Sequence, residues 1–318
     1  MNLKVPKYPD YLKYLWADYF ELVCLQSIDR YLSKSELEDR VELQLRDKTE
    51  DSEDVLSEMM GMENFQEKLN NFSGDLISFF EYRQHVYGES YPFEVEDDKI
   101  RMKSVLSADN LFYVYLLMSS HLGYFKAGMS TLTTDFEHFS MLGLQYYFGP
   151  RAQLAVFGKN VSGRPTLFKG TEEQKFIKLA ECFDAKMKSP VDFSSYSSGD
   201  GGIDIVGWIN FTDKSPGKVL IAGQCKCRKD WSDSRFSSSP NALGGFIEMT
   251  HQNLNFSFIP ICYRHTTGIW AVSQDVYGVI LMDRQRLVTL IAGNTEDFKR
   301  SESFELVQSF VSQREDVV

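Results

Sequence analysis

The chain has 318 residues, 43% of them hydrophobic and 14% aromatic, with a formal net charge of -11. This is enough for about two domains with filled cores, and it argues against a disordered chain. No run approaches the ~18 continuous apolar residues of a membrane span, and no apolar segment with a cleavage site marks a secretory signal.

The first part of the chain has helical patterning. Asp10 is expected to cap a helix over Tyr11 to Tyr31, made amphipathic by Asp18, Glu21 and Asp29. Ser33 caps the next, through roughly Lys48, and the acidic stretch Thr49 to Glu58 opens a long helical pattern ending near Tyr87-Gly88. Tyr91 to Lys103 reads as a small hairpin turning at Glu96-Asp97-Asp98. Ser107 or Asp109 starts a very apolar helix through His121, and Lys126-Ala-Gly-Met-Ser reads as a linker. The expected division is a mainly helical region, 1–126, and a second domain, 127–318.

The rhythm then changes. Thr133 or Thr134 is expected to cap a helix from Asp135 to Phe148, followed by a short strand from Ala152 to Phe157 and a Gly- and Lys-rich loop from Gly158 to Gly170. Thr171 begins a helix through about Lys186, with Glu172 and Glu173 in its first turn. After a Ser/Gly loop, Ser194 to Gly202, come two strands, Ile203 to Phe211 and Lys218 to Cys227, joined by a turn. A Ser-rich loop, Ser232 to Asn241, precedes a helix near Leu243. Phe256 to Tyr263 and Val279 to Met282 read as buried strands. Asp283 caps a helix from Arg284 to Ala292, and a last helix runs from about Thr295 to Gln313.

Charge and cysteines are unevenly placed. Residues 1–125 hold 13 Lys and Arg against 24 Asp and Glu, which is the whole net charge, whereas 126–318 balance at 21 of each. The neutral part carries basic clusters: Lys175, Lys178, Lys186 and Lys188, then Lys226, Arg228, Lys229 and Arg235. A positive groove for phosphates fits them, as does a solvated helix face for the first set. The five cysteines, Cys24, Cys182, Cys225, Cys227 and Cys262, follow no framework spacing, which points to reduced thiols and a cytoplasmic protein. Cys225-x-Cys227 lacks a second Cys or His pair at zinc-like spacing and reads as strand. The five histidines show no ligand spacing. Neither a Gly-x-Ser-x-Gly elbow nor a phosphate-binding P-loop is present.

The chemistry-bearing segment is Gly199-Asp-Gly-Gly-Ile-Asp204, followed by Gln224-Cys225-Lys226. Alternation puts Gln224 and Lys226 on one face of their strand and Cys225 on the other, while Asp204 heads the neighbouring strand. An ionised Asp and Lys among Ile203, Ile205, Val219 and Ile221 cost free energy unless paired or metal-bound, which is the physical reason to suspect a site. Asp200, between glycines, reads as a turn cap. The alternative for Asp204 and Lys226, less favoured than the functional reading, is a structural salt bridge across the hairpin.

A glycine-rich turn, an Asp starting a strand and Gln-x-Lys on the next strand resemble the PD-(D/E)XK nuclease superfamily, in its Mrr-like branch, over roughly residues 134 to 290. The resemblance implies an α+β architecture: an acidic, mainly helical N-terminal region and a restriction-endonuclease-like α/β domain with a mixed central sheet. It implies a metal-dependent DNA endonuclease using Mg²⁺ or Mn²⁺, with RNA not excluded, in a bacterial antiviral defence setting. Asp204, the backbone carbonyl of Cys225 and Glu137, in the Phe136-Glu137 pair, would be metal ligands. Gln224, in place of the commoner acid, would offer a neutral oxygen, and Lys226 would serve the attacking water. Arg228, Lys229 and Arg235 would meet the nucleic acid. The acidic region would serve a partner protein or a homodimer, or would repel DNA. The alternative is a catalytically silent nuclease-fold subunit that binds nucleic acid or acts as a scaffold.

Overall fold

Helix-forming sequence dominates the first third of the chain, and the structure, a computed structural model, follows it closely. The structure describes residue 3 and residues 12–47, 62–125, 127–158, 167–189, 202–211, 213, 215 and 217–313. The expected cap at Asp10, the stretch Thr49 to Glu58, Lys126, Asp200 and much of the loops 158–170 and 194–202 lie outside the described residues. Two units form. One is Met1–Met129 with Cys262–Ala271 and Thr295–Val318, and the other is Ser130–Ile261 with Val272–Asn294. The division expected at residue 126 therefore differs from the observed one, because two C-terminal segments belong with the first unit. A chain starting near Ser130 would strand both of them.

In the first unit, α1 (Lys13–Gln26) ends earlier than expected. The chain turns at residues 27–30, with Arg30 at φ 60°, and β1 (Tyr31–Ser33) pairs with β3 (Lys99–Met102). Ser33 then starts α2 (Lys34–Asp47) by a reciprocal cap: Glu36 N donates to Ser33 Oγ at 3.4 Å, and Ser33 N to Glu36 Oε2 at 2.7 Å. After α3 (Met62–Tyr87), β2 (Phe93–Glu96) joins β3 through Asp97 and Asp98, both at positive φ as a two-residue hairpin turn requires. Ser107 and Asn110 form a capping box that opens α4 (Ala108–Ser120).

Asp18 and Glu21 correct the amphipathic reading of α1, because both are fully buried. Arg83 of α3 lies between them, 2.7 Å from Asp18 Oδ1 and 2.7 Å from Glu21 Oε1. It also donates to Tyr14 O at 2.9 Å. Tyr91 and Tyr113 donate to the two Glu21 oxygens at 2.7 and 2.8 Å. Burial works against the Arg83 charge, but Glu21 and then Asp18 outweigh it, and the guanidinium is held firmly protonated. One cation thus fastens α1 to α3, and Glu21 draws in α4 through Tyr113.

In the second unit, α5 (Met129–Phe148) begins earlier than the expected Asp135. Thr133 and Thr134 lie inside it rather than capping it, and Thr133 Oγ1 donates back to Ser130 O at 3.0 Å. β4 (Ala152–Val156) follows. α6 (Glu172–Cys182) starts on a Thr171–Gln174 capping box and stops short of Lys186. Asp184 takes φ 51°, and β5 (Lys186–Met187) pairs with β8 (Ile247–Glu248). Then come β6 (Ile205–Ile209), β7 (Val219–Cys225), the short helix α7 (Pro240–Leu243), β9 (Leu254–Phe258), β10 (Ile280–Met282) and α8 (Arg284–Ile291), the last capped by Asp283.

The main sheet has the order β10-β9-β7-β6-β4, parallel across β10, β9 and β7 and antiparallel from β7 to β4. The fold class is therefore mixed α/β, as expected at that level. Phe176, Leu179, Val206, Trp208, Leu220 and Ala222 belong to the core on one face. The expected last helix is two, α9 (Glu296–Lys299) and α10 (Glu302–Ser312), because Ser301 caps the second.

Arg83→Ala is expected to cost about 3–5 kcal/mol, since it leaves two buried carboxylates without their cation. Urea denaturation checks this, and a loss within about 1 kcal/mol, the usual scale of an exposed pair, would contradict it.

Candidate functional site

The site grows from an irregularity in the β6–β7 ladder. Ile205 is the register partner of Gly223, yet Asp204 N also donates to Gly223 O at 3.0 Å. Two residues thus face one, a β-bulge that re-aims the Asp204 side chain. Its carbonyl is held by Phe157 N at 2.7 Å, and its Oδ2 accepts the Cys225 amide at 2.7 Å. The carboxylate therefore closes the end of the ladder where backbone pairing gives out.

Glu137 stands on α5 well past the first turn, so favourable placement at a helix N-terminus does not account for it. Ser140, one turn further along, lies against the Cys225 thiol. The Cys225 and Cys227 thiols are both pushed up, first by their apolar surroundings and then by the negative charges of Asp204 and Glu137. Both carboxylates therefore act on this one neighbourhood. Lys226 acts on the Cys227 thiol in the opposite sense, and its amide donates to Phe258 O at 2.9 Å. Its ammonium forms no ion pair with any described residue, so the plain salt bridge to Asp204 is not what the structure contains.

Gln224 is buried at 3% exposure. A Cβ at Gly202 would lie 3.2 Å from Gln224 Nε2 and 2.9 Å from Ser237 Cβ. Gln224 is thus turned to the glycine turn before Asp204. Its Oε1 has no hydrogen-bond partner among the described residues. Ser257, its register partner on β9, is equally buried and its Oγ is equally without a partner. Two orphan oxygens on neighbouring residues are costly, and a bound donor or cation would relieve them. Sequence reasoning missed Ser257 and Ser140; for Ser257 the only local sign was a hydroxyl between Phe256 and Phe258.

The basic residues sort differently. Arg228 and Lys229 are exposed, and Arg228 pairs with Asp230 at 3.2 Å, a contact of small net worth in solvent. Arg235 Nη1 donates to Ser232 O at 2.7 Å. Lys175, expected on a solvated face or in a groove, is buried and donates to Gly158 O at 2.8 Å, a structural role. Among the described residues no three His, Cys, Asp or Glu side chains form a ready metal cage. The oxygen donors brought to this end of the sheet are two carboxylates, one amide and two hydroxyls, a hard donor set with a lysine beside it.

No protein-family model, no curated protein and no solved structure matches the chain. Among the described residues no helix is long and apolar enough to cross a membrane, and none of the five cysteines is in a disulfide.

Because both thiols are raised, they should stay protonated at pH 8. Cys225 and Cys227 are expected to react with a thiol reagent far more slowly in the folded chain than in urea, as mass spectrometry of labelled peptides would read. Labelling at the unfolded rate would contradict the placement of these residues.

Proposed function

We propose that the chain is a metal-dependent nuclease that hydrolyses phosphodiester bonds in DNA. The observation that carries this reading is the gathering of Glu137, Asp204 and Lys226 around one sheet end, with the Gln224 oxygen, which has no hydrogen-bond partner among the described residues, beside the same turn. The resemblance to PD-(D/E)XK nucleases rests on the same residues.

Asp204 and Glu137 would hold a divalent cation, Mg²⁺ or Mn²⁺, with Gln224 Oε1 and the Cys225 carbonyl as neutral oxygen donors. When bound, the ion acidifies water and polarises the scissile phosphate. Lys226 would orient the attacking water and offset negative charge building on the phosphate. The Cys225 amide keeps the Asp204 carboxylate fixed in place, which saves reorganisation during the reaction. Arg228 and Lys229 would touch backbone phosphates and make binding salt-dependent. Defence against foreign DNA would be the setting.

A second reading is a nuclease-fold subunit that binds nucleic acid without cutting it. It is favoured by the structural hydrogen bond that Asp204 already accepts and by the lack of a three-ligand cage among the described residues.

A supercoiled-plasmid assay with Mg²⁺ or Mn²⁺ separates the two. Nicking or linearisation is expected from the wild type, with a loss of about 100-fold or more for Asp204→Ala and for Lys226→Ala. No cleavage by the folded wild type would favour the binding subunit, and equal cleavage by all three proteins would put the site elsewhere.

A further inference from the structure

Phe236 and Tyr277 are large rings left in solvent, at 46% and 81% exposure, in the unit that holds the candidate site. Exposed rings are often accidents of a loose loop, but these sit on loops that are tied down. Buried Asn255 donates one amide hydrogen to Arg235 O and the other to Gly278 O, both at 3.2 Å. Its Oδ1 accepts from Ser238 Oγ at 2.7 Å. A single, fully satisfied amide therefore holds the Phe236 loop to the Tyr277–Gly278 turn. The Phe236 ring also presses on Gly278. A Cβ there would come within 2.9 Å of the ring, and Gly278 has φ +79°, so the position suits glycine twice over. The Arg235 guanidinium lies 4.6 Å from the ring centroid. Successive turns, Ser237 N to Ser234 O and Ser239 N to Phe236 O, both at 3.0 Å, stiffen the loop into α7.

The same loop reaches the candidate site. Ser237, the neighbour of Phe236, packs at Gly202 beside Gln224. The residue next to Phe236 therefore touches the glycine turn that precedes Asp204. A fixed aromatic face with a stacked guanidinium suits a planar base, and the cation suits the attached phosphate. Asp233 and Asp275 on the same segments argue against broad electrostatic attraction, so stacking has to carry the contact.

We infer that Phe236, Tyr277 and Arg235 form a stacking platform for unpaired nucleotides, so that the substrate of the site is single-stranded or locally unpaired nucleic acid. The choice of a nucleic acid as occupant rests on the nuclease reading; the rigidity and exposure of the platform do not.

The test is fluorescence anisotropy with the full chain in EDTA, using labelled dT and rU 15-mers and a DNA duplex of the same length. The wild type is expected to bind a single strand more tightly than the duplex. Tyr277→Ala and Phe236→Leu, which keeps an apolar side chain on Gly278, should each weaken single-strand binding about 5- to 100-fold, while Phe236→Trp should restore it. Loss on dT, on rU or on both supports the platform and identifies the sugar it prefers. Unchanged single-strand affinity in folded variants, equal weakening on the duplex, or no single-strand preference in the wild type overturns it. No metal is present and no cleavage is read, so this binding result and the plasmid assay can fail independently of each other.

Discussion

The hydrogen bond from the Cys225 amide to the Asp204 carboxylate is the contact on which the candidate site depends. In a regular antiparallel ladder that amide would meet a backbone carbonyl, but the bulge at Asp204 shifts the register and a side chain takes over. A buried amide left unpaired would cost about 1–3 kcal/mol, so the carboxylate is kept there by the sheet itself. Its charge then bears on Cys225 and Cys227, together with that of Glu137 on α5. The neighbours Gln224 and Lys226 are set by the same strand end, one turned to the glycine turn and one without an ionic partner among the described residues.

Buried polarity is treated differently around Glu21 and at the sheet end. Around Arg83, two carboxylates and two tyrosine hydroxyls meet with short bonds. Such a network fastens helices and fixes their order, with no oxygen of Glu21 left over. At the sheet end, the Gln224 and Ser257 oxygens have no described partner although both residues are buried. Folding alone would favour apolar residues of similar shape at those two positions. Their burial without a described partner is the physical ground for expecting something to bind there, and it does not rely on the resemblance.

Much of this was legible locally. The caps are short-range patterns: Ser33 and Asp283 cap as expected, Ser107 rather than Asp109 caps its helix, and Thr171 caps the helix expected to begin there. The Asp97-Asp98 turn is equally local. Asp18 and Glu21 were misread because their partner, Arg83, lies on another helix far along the chain, and periodicity cannot distinguish a paired buried acid from a solvated one. Lys175 is buried for a similar reason, since its acceptors, the carbonyls of Phe157 and Gly158, belong to a distant loop. Asp204, Gln224 and Lys226 could be singled out as polar residues in apolar strands. The bulge, the pairing of Gln224 with Ser257 and the return of residues 295–318 to the first unit come from non-local packing that no window of sequence contains.

The most direct measurement is Mn²⁺ binding by the intact chain, followed by electron paramagnetic resonance, for the wild type and Asp204→Asn. The asparagine keeps an acceptor for the Cys225 amide and removes only the charge. The account predicts a saturable bound-metal signal for the wild type that is lost or weakened at least ~10-fold in Asp204→Asn, as expected when a hard cation loses an anionic oxygen ligand. No binding by the wild type, or equal binding by both proteins, would contradict it.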